Sequence, residues 1–381
     1  MKRILFITTR NPYSGRYSGD VIRSFKIINV LKKRYKIDLV FLGKKGNLKI
    51  KDLNIISFKH PNYLKKIFYC LISLFKFEPI QFGLFYSESM KNYIQENSNK
   101  YDVIFFHHIR SSQFLPKSYY GKTILDMGDL YSDNYSQTSK YLSFLNPFKY
   151  IYYLESFIIK SVEAKIFSIF DKVLLFSKRE VDKVNKSYDS INKIIQIDES
   201  VEKLHKKLKF SSKNFKILFV GNLNYLPNIL ACKNFIIEVL PKLTKIIPNI
   251  KFCIIGDIKD NDRTRLSKYN NVEILGSKKD ISKYAKNSIC GLANLSIATG
   301  VQVKVLTYMT YGLPVICSDQ VAKNFDKNVL SYKSNTDLIN IIKKLKNKKE
   351  FWNSFSKKSY SFVRKFKWEN ISKRYFKIVD A

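Results

Sequence analysis

The chain predicts an α/β protein built from two doubly wound parallel sheets, and three observations carry that prediction. Short apolar runs alternate with longer amphipathic stretches from end to end, as strands and crossover helices do around a parallel sheet. The runs fall into two sets on either side of a polar, lysine-rich segment, DESVEKLHKKLKFSSKN at 198–214. At 381 residues the chain also exceeds what one compact core usually holds, which suits two domains. The boundaries expected are 1–200 and 214–355, with 356–381 as a C-terminal helical stretch packing back on the first domain.

In the first half the strands are RILFITT, KIDLVFL, YDVIFFHH, KTILDM and KVLLFS; in the second they are KILFVGN, KFCIIGD, VEILG, ICGLANL and LPVICS. Ligands of such sheets bind where loops leave the carboxyl ends of the strands, so the residues there come first. Gly15 and Gly19 follow the first strand, in a loop that either approaches a ligand closely or simply turns. The run IFYCLISLF at 67–75, flanked by Lys65, Lys66 and Lys76, is far short of the roughly 20 residues a membrane span needs. It suits a basic, aromatic helix on a membrane surface or a buried helix of the first domain. His107 and His108 end the strand YDVIFF, close to Arg110. Asp126 and Asp129 follow another strand, where a carboxylate either orients an acceptor hydroxyl or caps the next segment. Glu155 and Glu163 are expected on the solvent face of a long helix. The stretch 351–379 reads as helical, with Trp352, Phe355, Trp368 and Tyr375 as packing anchors.

The segment GVQVKVLTYMTYGLPVICS at 300–318 reads as loop, helix, tight turn and strand. Gly300 allows a sharp turn, Val301, Val305, Tyr308 and Met309 share a helical face, and Gly312 stops the helix. Lys304 then falls in the first or second turn, where the helix dipole disfavours a cation by about 0.3 to 1 kcal/mol unless an anion is present. Backbone amides at Gly300 and its successors, with Lys304, suit a diphosphate held without a metal. The plain alternative is a surface lysine on a lysine-rich chain.

Composition narrows the partners. With 68 Lys and Arg against 31 Asp and Glu, the net charge of +37 draws nucleic acid, anionic lipid or phosphorylated substrates toward the surface. The lysines are scattered and no nucleic-acid recognition module is present, which counts against the first. Five cysteines form no close pair and sit mostly in apolar runs, as in the core of a reduced, cytosolic protein. The opening MKRILFITT reaches Arg10 quickly and reads as a strand rather than an export signal. The four histidines offer no metal-ligand spacing, and no nucleophile elbow is visible, so neither a metal nor another cofactor is expected.

Several of these pieces together resemble the glycosyltransferases of the GT-B fold, and within them the large retaining group that uses nucleotide sugars, glycosyltransferase family 4. In the second half they are ILFVGNLNYLPN at 217–228, KFCIIGD at 251–257, VEILGSKKDISKYAKNSICGLANL at 272–295 and the segment at 300–318. The first half adds SGRYSGDVIRSFKIINVLKKRYKIDLV at 14–40, EPIQFGLFYSESM at 78–90, ILDMGDLYS at 124–132 and FDKVLLFSKREVDKV at 170–184, which look like bacterial members that build surface polysaccharides. The resemblance implies two Rossmann-like domains facing a central cleft, the first binding acceptor and the second a nucleotide sugar. It implies transfer to a glycan or lipid-linked acceptor by a cytoplasmic protein, peripheral at the inner face of the plasma membrane.

By the same resemblance Lys304 and the amides of Gly300 and Val301 bind the diphosphate, with Gly221 and Asn222 near the donor or acceptor. Gly15 and Gly19 approach sugar and phosphate, and His108, Arg110 and Asp129 serve the reacting centre. Most relatives carry a glutamate for the donor ribose where this chain has Thr307, and many carry a phosphate-binding arginine at Asn222. A single hydroxyl cannot accept two hydrogen bonds as a carboxylate does. A catalytically impaired scaffold that binds a glycan or a partner protein is therefore the competing expectation.

Overall fold

The computed structural model describes residues 1–15, 19–188 and 192–381, and the chain divides into two compact units. Met1–Asp198 together with Ile371–Ala381 form the first, and Glu199–Asn370 the second.

Unit 1 is built on seven strands: β1 (Arg3–Thr8), β2 (Lys36–Leu42), β3 (Leu53–Phe58), β4 (Val103–His107), β5 (Lys122–Gly128), β6 (Lys172–Leu175) and β7 (Ile194–Gln196). Their order is β3-β2-β1-β4-β5-β6-β7, and every pairing is parallel. Ile4, Leu5, Phe6 and Ile7 of β1 are all fully buried, as expected for a central strand covered by helices on both faces. The order reverses between β1 and β4, so the loops leaving Thr8 and His107 diverge and open a crevice at the strand ends.

The helix Phe148–Ile169 corrects one expectation. Glu155 and Glu163 are both buried rather than solvated. The Glu155 carboxylate accepts from the Ile80 amide at the start of the helix Ile80–Leu84. Glu163 accepts from the amide and hydroxyl of Ser132, in the first turn of the helix Tyr131–Tyr141. Each carboxylate thus supplies a helix start that has no side-chain cap of its own.

Unit 2 carries β8 (Lys216–Val220), β9 (Lys251–Ile255), β10 (Val272–Ile274), β11 (Ser288–Ala293), β12 (Val315–Ser318) and β13 (Leu330–Tyr332). Their order, β10-β9-β8-β11-β12-β13, is again all parallel and reverses between β8 and β11. Tyr308 fills this reversal. Its hydroxyl accepts from the Val220 amide at 2.7 Å and donates to the Leu292 carbonyl at 3.3 Å, tying the ends of β8 and β11. The ring lies against the backbone of Gly291, where a Cβ would stand 2.3 Å from it.

The segment 198–214, expected as the boundary between the domains, packs on unit 2 from residue 199 onward. The amides of His205 and Leu208 donate to the carbonyls of Thr310 and Tyr311 at 3.0 and 2.9 Å, and the His205 and Tyr311 rings stack at 3.9 Å. The part of the chain that returns to unit 1 begins at Ile371 rather than 356. There Ile371, Tyr375, Ile378 and Val379 of the helix Trp368–Asp380 are buried, and Lys122 donates to the Ile378 carbonyl.

Candidate functional site

The loop after β8 and the helix Val303–Thr310 meet at the reversal point of unit 2. Gly300 turns with φ at +59°, its carbonyl accepting from Asn324 at 2.6 Å, and Val301 and Gln302 lead into the helix. Lys304 is the second helical residue and, four before Tyr308, lies on the same face. Its ammonium is buried. Nζ donates to Asn228 Oδ1 at 2.6 Å and stands 4.0 Å above the Phe219 ring, and it makes no ion pair among the described residues. Burial lowers its pKa to about 7. Asn228 is itself fixed, since its Nδ2 donates to the Asn222 carbonyl at 2.8 Å.

Gly221 faces this pair. A Cβ there would stand 2.9 Å from Asn228 Nδ2 and 3.1 Å from Lys304 Nζ, so any side chain would crowd the ammonium. The structure therefore brings together Gly221, Asn222 and Lys304, with Asn228 as the joint between them. Asn222 is exposed, its side-chain oxygen accepting from the Asn224 amide at 2.9 Å. Thr307 lies one turn beyond Val303 and donates back to that residue's carbonyl at 3.0 Å, so its hydroxyl proton is engaged within the helix. Sequence reasoning missed Asn228. Its signal was a polar residue in the apolar first turns of the helix Leu226–Asn234.

In unit 1 the residues around β1, β4 and β5 form a charged cluster. Asp126 is buried and receives Arg23 through two bonds, Nε to Oδ2 at 2.7 Å and Nη2 to Oδ1 at 3.0 Å. His107 Nδ1 lies 3.2 Å from the same carboxylate, and its Nε2 lies 2.9 Å from the Asp20 carbonyl. Burial alone would raise the Asp126 pKa, but the Arg23 charge and the hydrogen bonds from His107 and Arg23 bring it down to about 2. Asp126 is thus an internal counter-ion, with no face left for an acceptor hydroxyl. Asp20 holds two further cations, Arg10 at 2.9 Å and Arg110 at 3.1 Å.

Arg110 is buried, stacks 4.2 Å from the Phe85 ring, and leaves its Nε without a hydrogen-bond partner among the described residues. His108 takes a different path from His107. At φ +72° its backbone is in the left-handed region, a strained state for a non-glycine residue. Its Nδ1 accepts from the Arg110 amide at 3.4 Å, which leaves Nε2 to donate to the Tyr131 hydroxyl at 2.7 Å. Burial and the charges of Arg110, His107 and Arg10 push the His108 pKa well down, so its imidazole is neutral.

Asp129 is partly exposed and lies two residues before Tyr131. Gly15 has φ +71° and Gly19 opens the helix Gly19–Leu31; a Cβ at either would meet nothing within 4 Å. Arg10, Asp20 and Arg23 were not singled out in the sequence. Asp20 and Arg23, three apart in the first turns after β1, were the available signal.

Comparison with known proteins bears on the fold and on unit 2. Residues 214–346 match the family described as Glycosyl transferases group 1. A Klebsiella pneumoniae protein described as an uncharacterized 44.6 kDa protein in cps region is 26% identical over 284 residues, covering 70% of this chain and 68% of that one. Sucrose-phosphate synthase from Thermosynechococcus elongatus superposes with a TM-score of 0.73 at 14% identity, over 100% of this chain and 98% of the other. HepE from Anabaena, solved in complex with UDP and glucose, superposes with a TM-score of 0.68 at 13% identity over the full length of both chains. The architecture is the GT-B fold of two Rossmann-like domains, and the part of the chain that matches the group 1 glycosyl transferases, residues 214–346, lies within unit 2.

Proposed function

We propose that the protein moves a sugar from a nucleoside-diphosphate sugar to a glycan or lipid-linked acceptor during the building of cell-surface polysaccharide, with retention of configuration. One observation carries the reading: a buried ammonium, Lys304, held at a helix start by a neutral amide and facing a glycine loop. Burying a cation with no anion costs several kcal/mol, so its natural complement is an anion that arrives with the substrate. A leaving diphosphate fits, because negative charge grows on it as the anomeric bond breaks, and Lys304 with the amides of Gly300, Val301 and the first helical turn stabilises that charge. This donor set needs no metal.

In the retaining reaction the acceptor oxygen attacks on the face the diphosphate leaves. Its proton passes to a departing phosphate oxygen. Neutral His108 and the Arg110 guanidinium attend the donor sugar, and Asp129 the acceptor. Gly15 and Gly19 leave room for both. A Klebsiella relative described by its place in a cps region supports the surface-glycan role. A lipid-linked acceptor places the reaction at the inner face of the plasma membrane, with the enzyme in the cytoplasm.

A panel of nucleotides and nucleotide sugars scored by thermal shift tests the donor site. At least one nucleoside diphosphate is expected to raise Tm, Lys304→Met to abolish that shift, and EDTA to leave it unchanged. No response to any of them would overturn the proposal. The engaged hydroxyl of Thr307 favours one competing reading, a binding scaffold without turnover. Sugar transfer by the unaltered chain eliminates it.

A further inference from the structure

The helix Tyr63–Phe75 is turned inside out. Of its residues only Ser73 is buried, while Tyr63, Leu64, Phe68 and Phe75 are more than half exposed, Phe75 at 84%. Phe77 just beyond it is exposed as well. Amphipathic helices of globular units normally direct the apolar stripe to the core. The same inversion recurs at the start of the helix Phe148–Ile169 and in the loop before it, where Phe144, Leu145, Phe148, Tyr153, Leu154 and Phe157 are exposed, Leu145 at 78%.

These two apolar faces belong to one packed group. The short helix Ile80–Leu84 joins them: its Ile80 amide donates to Glu155 at 3.2 Å, and its Ile80 carbonyl lies 3.7 Å from Cys70 Sγ. Gly83 presses on the first helix so closely that a Cβ would stand 2.5 Å from the backbone of Tyr69 and Cys70. Charge selects the occupant. Residues 63–77 contain three lysines and no carboxylate, and residues 140–154 contain two lysines and no carboxylate. A second copy of the chain would set lysines against lysines.

We infer that unit 1 docks on an anionic lipid surface through the helix Tyr63–Phe75 and the exposed turns at 144–157. Aromatic and leucine side chains enter the headgroup boundary while Lys65, Lys76 and Lys140 meet anionic headgroups. Thirteen residues make a helix about 20 Å long, against the roughly 30 Å of a hydrocarbon core, so it lies on the surface. Among the described residues no helix is long and apolar enough to cross a membrane. The docking takes from the transferase reading only its lipid-linked acceptor, and names the surface through which that acceptor is reached.

Flotation of the full chain with phosphatidylcholine vesicles, with and without one third phosphatidylglycerol, provides the test. Wild type is expected to float with the anionic vesicles at least tenfold more than with the neutral ones, and less at high salt. The double variants Phe68→Ser with Phe75→Ser, and Leu145→Ser with Phe148→Ser, are expected to reduce flotation at least fivefold at an unchanged Tm, because the altered side chains are exposed. Wild type that stays at the bottom with anionic vesicles overturns the inference, as do variants that float like wild type. A dimer by gel filtration that these substitutions dissolve, with no flotation, assigns the surface to a second copy and also overturns it. Lys304→Met is expected to float normally, so loss of nucleotide binding and loss of docking fail separately.

Discussion

Lys304 concentrates the proposed chemistry in one side chain. Its pKa falls from an unfolded value near 10.4 to about 7 in the folded chain, because burial penalises the charged form. Between those two pH values the folded state binds fewer protons than the unfolded one. The penalty of the buried cation is therefore full below about pH 7 and is relieved as pH rises. A diphosphate bound as proposed would reverse this preference by supplying the missing anion. Binding of UDP or another responding diphosphate at pH 8 is thus expected to take up a fraction of a proton. Calorimetry in buffers of different ionisation enthalpy would show it as a slope, and affinity is expected to weaken from pH 7 to pH 9. A zero slope with pH-independent affinity would contradict the assignment. The place of Lys304 at a helix start was legible in the sequence because Gly300 and the apolar helical spacing after it stand within a few residues of the lysine. Asn228 was not, since it lies 76 residues away and only the fold joins the two.

At the scale of elements, the buried glutamates show how one helix holds the start of another. Burial raises the Glu163 pKa to about 7, against the opposing hydrogen bonds from Ser132 and Tyr131. The folded state then keeps a proton that the unfolded state loses above about pH 4.3. Whatever stability this group contributes is complete below that pH and is lost as pH rises through about 7. Glu163→Gln is expected to flatten the fall in stability between pH 4.5 and 7.5, measured as the urea midpoint across that range. An unchanged slope would remove Glu163 from the account. The sequence showed a long helix with two glutamates but not which face they occupied, because apolar residues surround that helix on several sides. The strands that were missed tell a similar story: β3, β7 and β13 are all at sheet edges. Two of them, IIQ and LSY, are only three residues long, too short to show a period. Central strands were readable since burial on both faces leaves a continuous apolar run.

For the whole molecule, the decisive element is the last one. Ile371, Tyr375, Ile378 and Val379 are buried in unit 1, and at about 1.5 to 3 kcal/mol for each fully buried side chain their loss approaches the entire stability of an ordinary domain. Ending the chain at Asn370 is expected to unfold unit 1 selectively. A melt followed by calorimetry should lose one transition while the nucleotide-dependent transition of unit 2 persists. A truncated chain that melts like the full one would show the helix to be dispensable. The two-sheet architecture was legible from the alternation of runs, and so was the return of the chain. Its starting point was not, because the aromatic residues on both sides of 370 look alike in sequence while Trp352 packs in one unit and Tyr375 in the other.

That return also has a genetic meaning. Lys2 donates to the Val379 carbonyl at 3.2 Å, so β1 and the helix Trp368–Asp380 are neighbours within unit 1. Unit 2 is one uninterrupted stretch of reading frame, set between Asp198 and Ile371 of unit 1. One continuous gene fragment therefore covers all of unit 2, the form a recombination cassette would take. The other half has no such freedom: it is specified only when both flanks of the insert are inherited together.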